Sequence, residues 1–188
     1  MNPTKSERAV FLDRDGTINV DRHYLSKAEQ FELIPGADVA LRRLQDAGFL
    51  LIVVTNQSGI GRGYYTEADL HSVNERMHTL LSPAGVTLTQ IYFSPESPEQ
   101  PSRGRKPSPA FLFDARDEYG VDLSRSYMIG DKWIDVEVGW NAGCAASLLV
   151  RTGYGAETER KEAHHLGAAI VVNDLSAAAE WILRPEPV

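Results

Sequence analysis

Two aspartates, Asp13 and Asp15, follow directly on the apolar run Ala9-Val10-Phe11-Leu12, with Gly16 and Thr17 next in line. An unbroken apolar run of this length suits a strand buried on both faces, as in a parallel sheet. The carboxylates then stand at its C-terminal end, the edge at which open α/β sheets bind ligands, and Gly16 lets the chain turn sharply there. Phosphoryl transfer is one chemistry open to such a pair. A carboxylate can attack phosphorus in-line and divide a hydrolysis into two displacements, provided a metal neutralises the oxygens gathered there. The plainer alternative is a turn, because Asp-x-Asp in a Gly-containing loop is common turn composition.

The elements that must position this pair alternate along the chain. Pro35-Gly36 opens a helix with Ala37, Ala40, Leu41 and Leu44 on one face, and Gly48 suits its end. Phe49 to Val54 is a second buried strand, running into Thr55-Asn56-Gln57-Ser58. Thr66 and Asp69 form a helix N-cap pair ahead of Leu70, Val73, Met77 and Leu80. Gln90 to Phe93 is a third strand. A helix over Ala110 to Tyr119 stops at Gly120, and the strand Tyr127 to Ile129 ends at Gly130-Asp131. Another helix closes near Gly143. The strand Ser147 to Val150 and a last strand-helix pair, Ala169 to Val172 and Leu175 to Leu183 with Asp174 as cap, complete the series. Strands alternating with amphipathic helices predict an α/β three-layer sandwich with a parallel sheet and right-handed crossovers. Residues 1–188 then form a single domain, with too little length left for a separate cap domain. Two irregular stretches remain to roof the strand ends: Ile18 to Phe31, which is placed to select substrate, and Ser94 to Pro109, broken by Pro95, Pro98, Pro101, Pro107 and Pro109.

Composition narrows the function classes. A chain of 188 residues that is 43% hydrophobic can bury a full core, and its net charge of -7 argues against nucleic acid bound through a broad basic face. A phosphorylated small molecule stays compatible with that charge. Cys144 is the only cysteine, which excludes an intramolecular disulfide and a thiolate zinc cluster and suits a reducing, cytoplasmic setting. Met1 to Arg8 has no apolar core and reads as an irregular lead-in, not a secretory signal. No stretch approaches the ~20 apolar residues that span a bilayer, so no membrane partner is expected, and a monomer is. His71 and His78 share a helix face without an evident third ligand and read as surface residues, as do His164 and His165. Cys144 reads as a small buried hydrophobe, Trp133 as a residue near the site, and Trp140 and Trp181 as helix packing.

Asp13-x-Asp15-x-Thr17 after a buried strand resembles the first motif of the haloacid dehalogenase superfamily, most of whose members are phosphatases that work through an aspartyl-phosphate. Thr55, Lys106 and Gly130-Asp131 to Asp135 resemble its second, third and fourth motifs, in order. The resemblance implies a Rossmann-like sheet with the first-motif strand central. It implies Asp13 as nucleophile, Asp15 as general acid and base, Thr55 and Lys106 as phosphate ligands, and Asp13, Asp15, Asp131 and Asp135 as the magnesium site. Carboxylates brought together in this way need a hard divalent cation between them. Because magnesium takes only one or two carboxylates plus phosphate oxygen, Asp135 can stand one step back.

Three longer runs, Phe11 to Asp21, Thr55 to Gly63 and Arg105-Lys106-Pro107, resemble the heptose-bisphosphate phosphatases of the histidinol-phosphatase-like subfamily. Ser58-Gly59 stands where the histidinol-phosphate phosphatases typically carry Asp-Gly, and those enzymes are the alternative reading. By the same resemblance, Asp21, Arg22, His23, Tyr24, Asn56, Gln57, Ser58, Arg105 and Lys132 contact a sugar bisphosphate, Arg105 gripping its second phosphate. One departure stands out. Where many relatives hold the loop before the third motif with a structural zinc, this chain has Ser94, Glu96, Ser102 and Gly104, so no structural zinc is expected.

Overall fold

The computed structural model describes residues 6–185, and at its centre the first apolar run forms strand β1 (Arg8–Leu12). It pairs in parallel with β2 (Phe49–Asn56) on one side and β4 (Tyr127–Gly130) on the other. With β3 (Gln90–Ser94), β5 (Ala146–Val150) and β6 (Ile170–Val172), the sheet runs β3-β2-β1-β4-β5-β6, and every pairing is parallel. Leu12 stands level with Val53 and Ile129. The residues just beyond, Asp13, Thr55 and Asp131, therefore emerge at the same edge.

Successive side chains of a strand point to opposite faces, and β1 uses both faces for core. Val10 and Leu12 pack with α1 (Ala37–Asp46), α2 (Glu67–Leu81) and α6 (Leu175–Leu183). Ala9 and Phe11 pack on the other side with α3 (Ala110–Tyr119) and α4 (Trp133–Ala142). All four are fully buried. Removing the Val10, Phe11 and Leu12 side chains from water contributes roughly 1.5 to 3 kcal/mol each, which is why the run tolerates no polar alternation. Helices thus cover the sheet on both faces, giving the expected three-layer α/β fold. No second sheet or cap stands over the strand ends among the described residues.

The helix ends follow their local chemistry. Thr66 and Asp69 close a capping box on α2, with the Asp69 N–H donating to Thr66 Oγ1 at 3.2 Å and the Thr66 N–H to Asp69 Oδ2 at 2.8 Å. Asp174 Oδ1 accepts from the Ala177 N–H at 2.8 Å at the head of α6. Between β5 and β6 stands α5 (Gly155–Lys161), a short helix that the pattern of apolar residues does not announce. It buries only Gly155 and Thr158, and ion pairs Arg151–Glu159 and Glu157–Lys161 run along its flank. The lead-in expected over Met1 to Arg8 lies outside the described residues up to residue 5, and Arg8 already belongs to β1. None of the described helices is long and apolar enough to cross a membrane.

Candidate active site

Asp13 follows the last residue of β1, and its N–H donates to the Ile129 carbonyl at 2.9 Å, so the ladder between β1 and β4 extends to the carboxylate itself. Lys106 enters from the loop ahead of α3. Its Nζ lies 2.8 Å from Asp13 Oδ1 and 2.6 Å from Asp135 Oδ1, with all three side chains buried. Asp131 follows β4, and Asp135 lies in the first turn of α4, where its Oδ2 accepts from the Lys132 N–H at 2.9 Å. One carboxylate oxygen from each of Asp13, Asp131 and Asp135 falls within 4.8 Å of the others. The backbone closes tightly around Asp131: a Cβ on Gly16 would stand 2.2 Å from its Oδ2, and one on Gly153 2.3 Å. Both glycines also have φ values, +87° and +56°, that side chains disfavour.

The carboxylate of Asp15 lies outside this cluster and is taken up by other partners. Its Oδ2 accepts from Arg14 Nη2 at 2.8 Å, Arg14 Nε at 3.2 Å and Gln57 Nε2 at 3.0 Å, and its Oδ1 accepts from Asn19 Nδ2 at 3.0 Å. Arg14, a fully buried arginine, reaches on to Asn74 Oδ1 of α2 at 3.1 Å. Gln57 also donates to Thr55 Oγ1 at 2.9 Å and accepts from the Tyr65 hydroxyl at 2.6 Å. Both N–H groups of its amide are engaged by protein, whereas Asn56 commits one N–H and its carbonyl oxygen. Asn56 donates to the Lys106 carbonyl at 3.2 Å and accepts from the Lys106 N–H at 3.0 Å, clamping the lysine backbone to the end of β2.

Above this floor lies a cleft of about 270 Å³. Asp13, Asp15, Thr55, Lys106 and Lys132 line it below, and Asp21, His23, Tyr24, Asn56, Gln57, Ser58 and Arg105 form its walls. Arg22 is not among the residues that line the cleft; it is exposed and paired with Glu32 at 2.8 Å. Trp133 packs edge-on against Trp140, and it is Ile134 that faces the cleft. Tyr154 is a wall residue that the spacing of motifs did not single out. Its N–H donates to Asp131 Oδ2 at 2.8 Å, its hydroxyl meets His23 Nδ1 at 2.8 Å, and its ring lies 5.0 Å from the Lys132 ammonium. His23, at φ +61°, is held in turn by its own N–H donating to Asp21 Oδ1 at 2.6 Å.

A family model described as HAD-hyrolase-like matches residues 104–178. The D-glycero-beta-D-manno-heptose-1,7-bisphosphate 7-phosphatase of Escherichia coli K12 is 43% identical to this chain, over 97% of each sequence. The enzyme of the same name from Yersinia pestis is 39% identical, over 96% of this chain and 92% of its own length. The solved D,D-heptose 1,7-bisphosphate phosphatase of B. bronchiseptica, in complex with magnesium and phosphate, superposes with a TM-score of 0.86. It is 32% identical over 94% of this chain and 98% of its own. The chain belongs to the haloacid dehalogenase superfamily, in its heptose-bisphosphate phosphatase family. It is a phosphoric monoester hydrolase.

In this phosphatase the charges themselves show what the cluster fits. Burial, opposed by Lys132, pushes the Asp131 carboxyl up to about 8. Burial likewise raises Asp135 against the pull of Lys106. Asp13 is buried too, but Lys106 and Lys132 overcome that and hold it below the usual carboxylate range. Lys106 is raised: Asp13 and Asp135 outweigh its own burial. Asp131 Oδ1 is buried without a hydrogen-bond partner among the described residues, and the nearest ammonium, Lys132 Nζ, stands 3.6 Å away. An orphaned carboxyl oxygen beside two further aspartates is a hard-oxygen donor set, of the kind that fits magnesium rather than a softer ion.

Arg14, Asn74 and Tyr154 are the functional neighbours that sequence reasoning missed. Arg14 did carry a signal, a cation between the two motif aspartates. Asn74 carried a fainter one, a polar residue on the apolar face of α2.

Proposed function

We propose that the phosphatase removes the 7-phosphate of D-glycero-β-D-manno-heptose 1,7-bisphosphate through an aspartyl-phosphate on Asp13. The observation that carries this reading is the pair Arg105 and Lys106. Adjacent in sequence, they present one cation at the floor of the cleft beside Asp13 and a second on its wall, as a substrate with two phosphates requires. The relatives named for the β anomer supply the identity of the sugar.

The steps follow from what each residue can do. Lys106 shields Asp13 from the phosphate dianion, so that its free oxygen can approach phosphorus in-line. As the Asp13–phosphorus bond forms, the bond from phosphorus to the sugar oxygen breaks, and Asp15 gives that oxygen its proton. Asp15 then takes a proton from the water that attacks phosphorus, which returns Asp13 as a carboxylate. Arg14, Asn19 and Gln57 hold Asp15 at the angle both transfers need. Thr55 Oγ1 accepts from Gln57, which leaves its own proton for a phosphoryl oxygen. Asp13 and Asp131, with Asp135 behind them, would hold magnesium, which would supply positive charge against the transferring phosphoryl oxygens.

The same reading takes the chain as one catalytic domain acting as a cytoplasmic monomer, supported by the single sheet and the lone Cys144. Steady-state kinetics on both anomers of the bisphosphate and on histidinol phosphate, with phosphorus NMR to show which ester is lost, test the proposal. Preferential loss of the 7-phosphate is expected. Turnover of histidinol phosphate at a comparable or higher specificity constant would overturn it.

A further inference from the structure

We propose that Ser94, Glu96 and Ser102 form a hydrogen-bonded clip that aims Arg105 into the cleft, making Glu96 and Ser102 positioning residues for substrates that carry a second phosphate. The inference rests on the bisphosphate reading of Arg105 given above.

The clip spans an unusual stretch of chain. Between the end of β3 and Lys106 the proline-rich segment has no regular hydrogen bonding to fix its path. The Glu96 carboxylate supplies what is missing. Its Oε2 accepts from Ser94 Oγ at 2.7 Å and from Ser102 Oγ at 2.9 Å, drawing the two ends of the loop together. The two hydroxyl oxygens lie 3.0 Å apart. Each serine has one proton, so when both donate to Glu96 the contact between them carries none. The lone pairs of Ser102 then remain available, and its Oγ accepts from the Arg105 N–H at 3.1 Å. The Glu96 carbonyl accepts from Arg105 Nη1 at 3.1 Å. Arg105 is thus fixed at its backbone and at one corner of its guanidinium, both times by the clip. Among the described residues, nothing bonds its Nε or Nη2.

The rest of the loop is docked so that the clip has something to pull against. Ser94 is buried at the end of β3, and its carbonyl accepts from the Gln57 N–H at 2.8 Å. The Gly61 N–H donates to the Pro95 carbonyl at 2.8 Å. Gly104 sits so close to Phe111 of α3 that a Cβ there would stand 2.1 Å from the ring. By contrast Arg62 and Glu99, 3.5 Å apart on the surface, contribute little. The electrical setting fits an anion site: burial first and the nearby Arg62 second hold the Arg105 guanidinium below its ordinary value, a strain that a phosphate on its free edge relieves. The serine hydroxyls keep Glu96 ionised. Ser94 acts first and most, and with Ser102 it outweighs partial burial, so the double acceptor persists at neutral pH.

Glu96→Ala, Ser102→Ala, Arg105→Ala and the double variant Glu96→Ala/Arg105→Ala are compared with wild type on heptose 1,7-bisphosphate and on a sugar monophosphate. Arg105→Ala should lose about ten- to a hundred-fold in specificity constant on the bisphosphate, through KM, and little on the monophosphate. Glu96→Ala and Ser102→Ala should show the same one-sided loss at roughly tenfold, with kcat on the monophosphate unchanged. Glu96→Gln, which keeps an acceptor oxygen, should restore most of it. The double variant should be no worse than Arg105→Ala, because residues acting through one group are not additive. Arg105→Ala without a selective loss would overturn the bisphosphate reading and the clip with it. A selective loss in Arg105→Ala combined with equal losses on both substrates in Glu96→Ala and Ser102→Ala, with additivity, or with no loss, would overturn the clip alone.

Discussion

Asp13 and Asp15 lie two residues apart and meet opposite surroundings, which fit the separate tasks proposed for them. Asp13 faces Lys106 and is kept low enough to remain a carboxylate. Asp15 faces Arg14, Gln57 and Asn19 outside the metal cluster, held for direction. Asp13→Asn should abolish turnover of the bisphosphate while circular dichroism shows an intact fold, because the amide is nearly isosteric and far less nucleophilic. Asp15→Asn should cost about 10² to 10⁴ in rate on sugar phosphates. An aryl phosphate, whose leaving group needs no proton, should be affected far less. Equal losses on the two ester types would assign Asp15 a different role.

At the scale of elements, Lys106 shows what a motif leaves unsaid. It does not head α3, whose N-cap is Pro109. It sits in the turn before, and its position comes from Asn56 at the tip of β2, through two hydrogen bonds to its backbone. Asn56→Ala should therefore lower stability by about 1 to 3 kcal/mol and also lower kcat, since unsatisfied backbone groups and a displaced ammonium go together. A denaturant melt and a kcat measurement on the same preparation check both parts. Strands β1 and β2 were legible because unbroken apolar runs of four or more residues leave few alternatives, and Asp13 and Asp131 were legible because each follows directly on a short apolar strand. Asn56 and Gln57 were identifiable as site residues, but not as clamps for Lys106 and Asp15, because their partners lie far away in sequence. The place of Arg14 between two aspartates was legible, but its burial was not, because a fully buried arginine runs against compositional expectation. Helix α5 was hidden for the converse reason, having almost no apolar face to announce it.

For the whole molecule, the cost of gathering carboxylates appears as a dependence of stability on pH and metal. Asp131 has a folded-state pKa of about 8, above the 3.8 it returns to on unfolding. The unfolded chain therefore releases a proton that the folded one retains, and this contribution to stability, complete below the lower value, is lost as pH rises through the upper one. Metal-free protein should lose more melting temperature between pH 5 and 8 than Asp131→Asn does. The upward shift on adding magnesium should be larger at pH 8 than at pH 5, because the ion meets a carboxylate that no longer resists ionisation. A flat magnesium response across that range would contradict the assignment of Asp131. A zinc-selective chelator should leave both stability and activity untouched, as expected of a loop closed by hydroxyls and a carboxylate; elemental analysis of protein purified without added metal provides the check.

The buried trio of Asp13, Asp131 and Asp135, set against Lys106 and Lys132, also sets an order of events. With all three carboxylates ionised they outnumber the two ammoniums beside them, so the bare floor of the cleft repels a phosphate dianion. The enzyme is then a lock that must be armed before it can be turned: the cation enters first, and only the armed site attracts substrate. Inorganic phosphate, the product, should accordingly bind and inhibit only in the presence of magnesium, and should slow the ion's departure once both are seated.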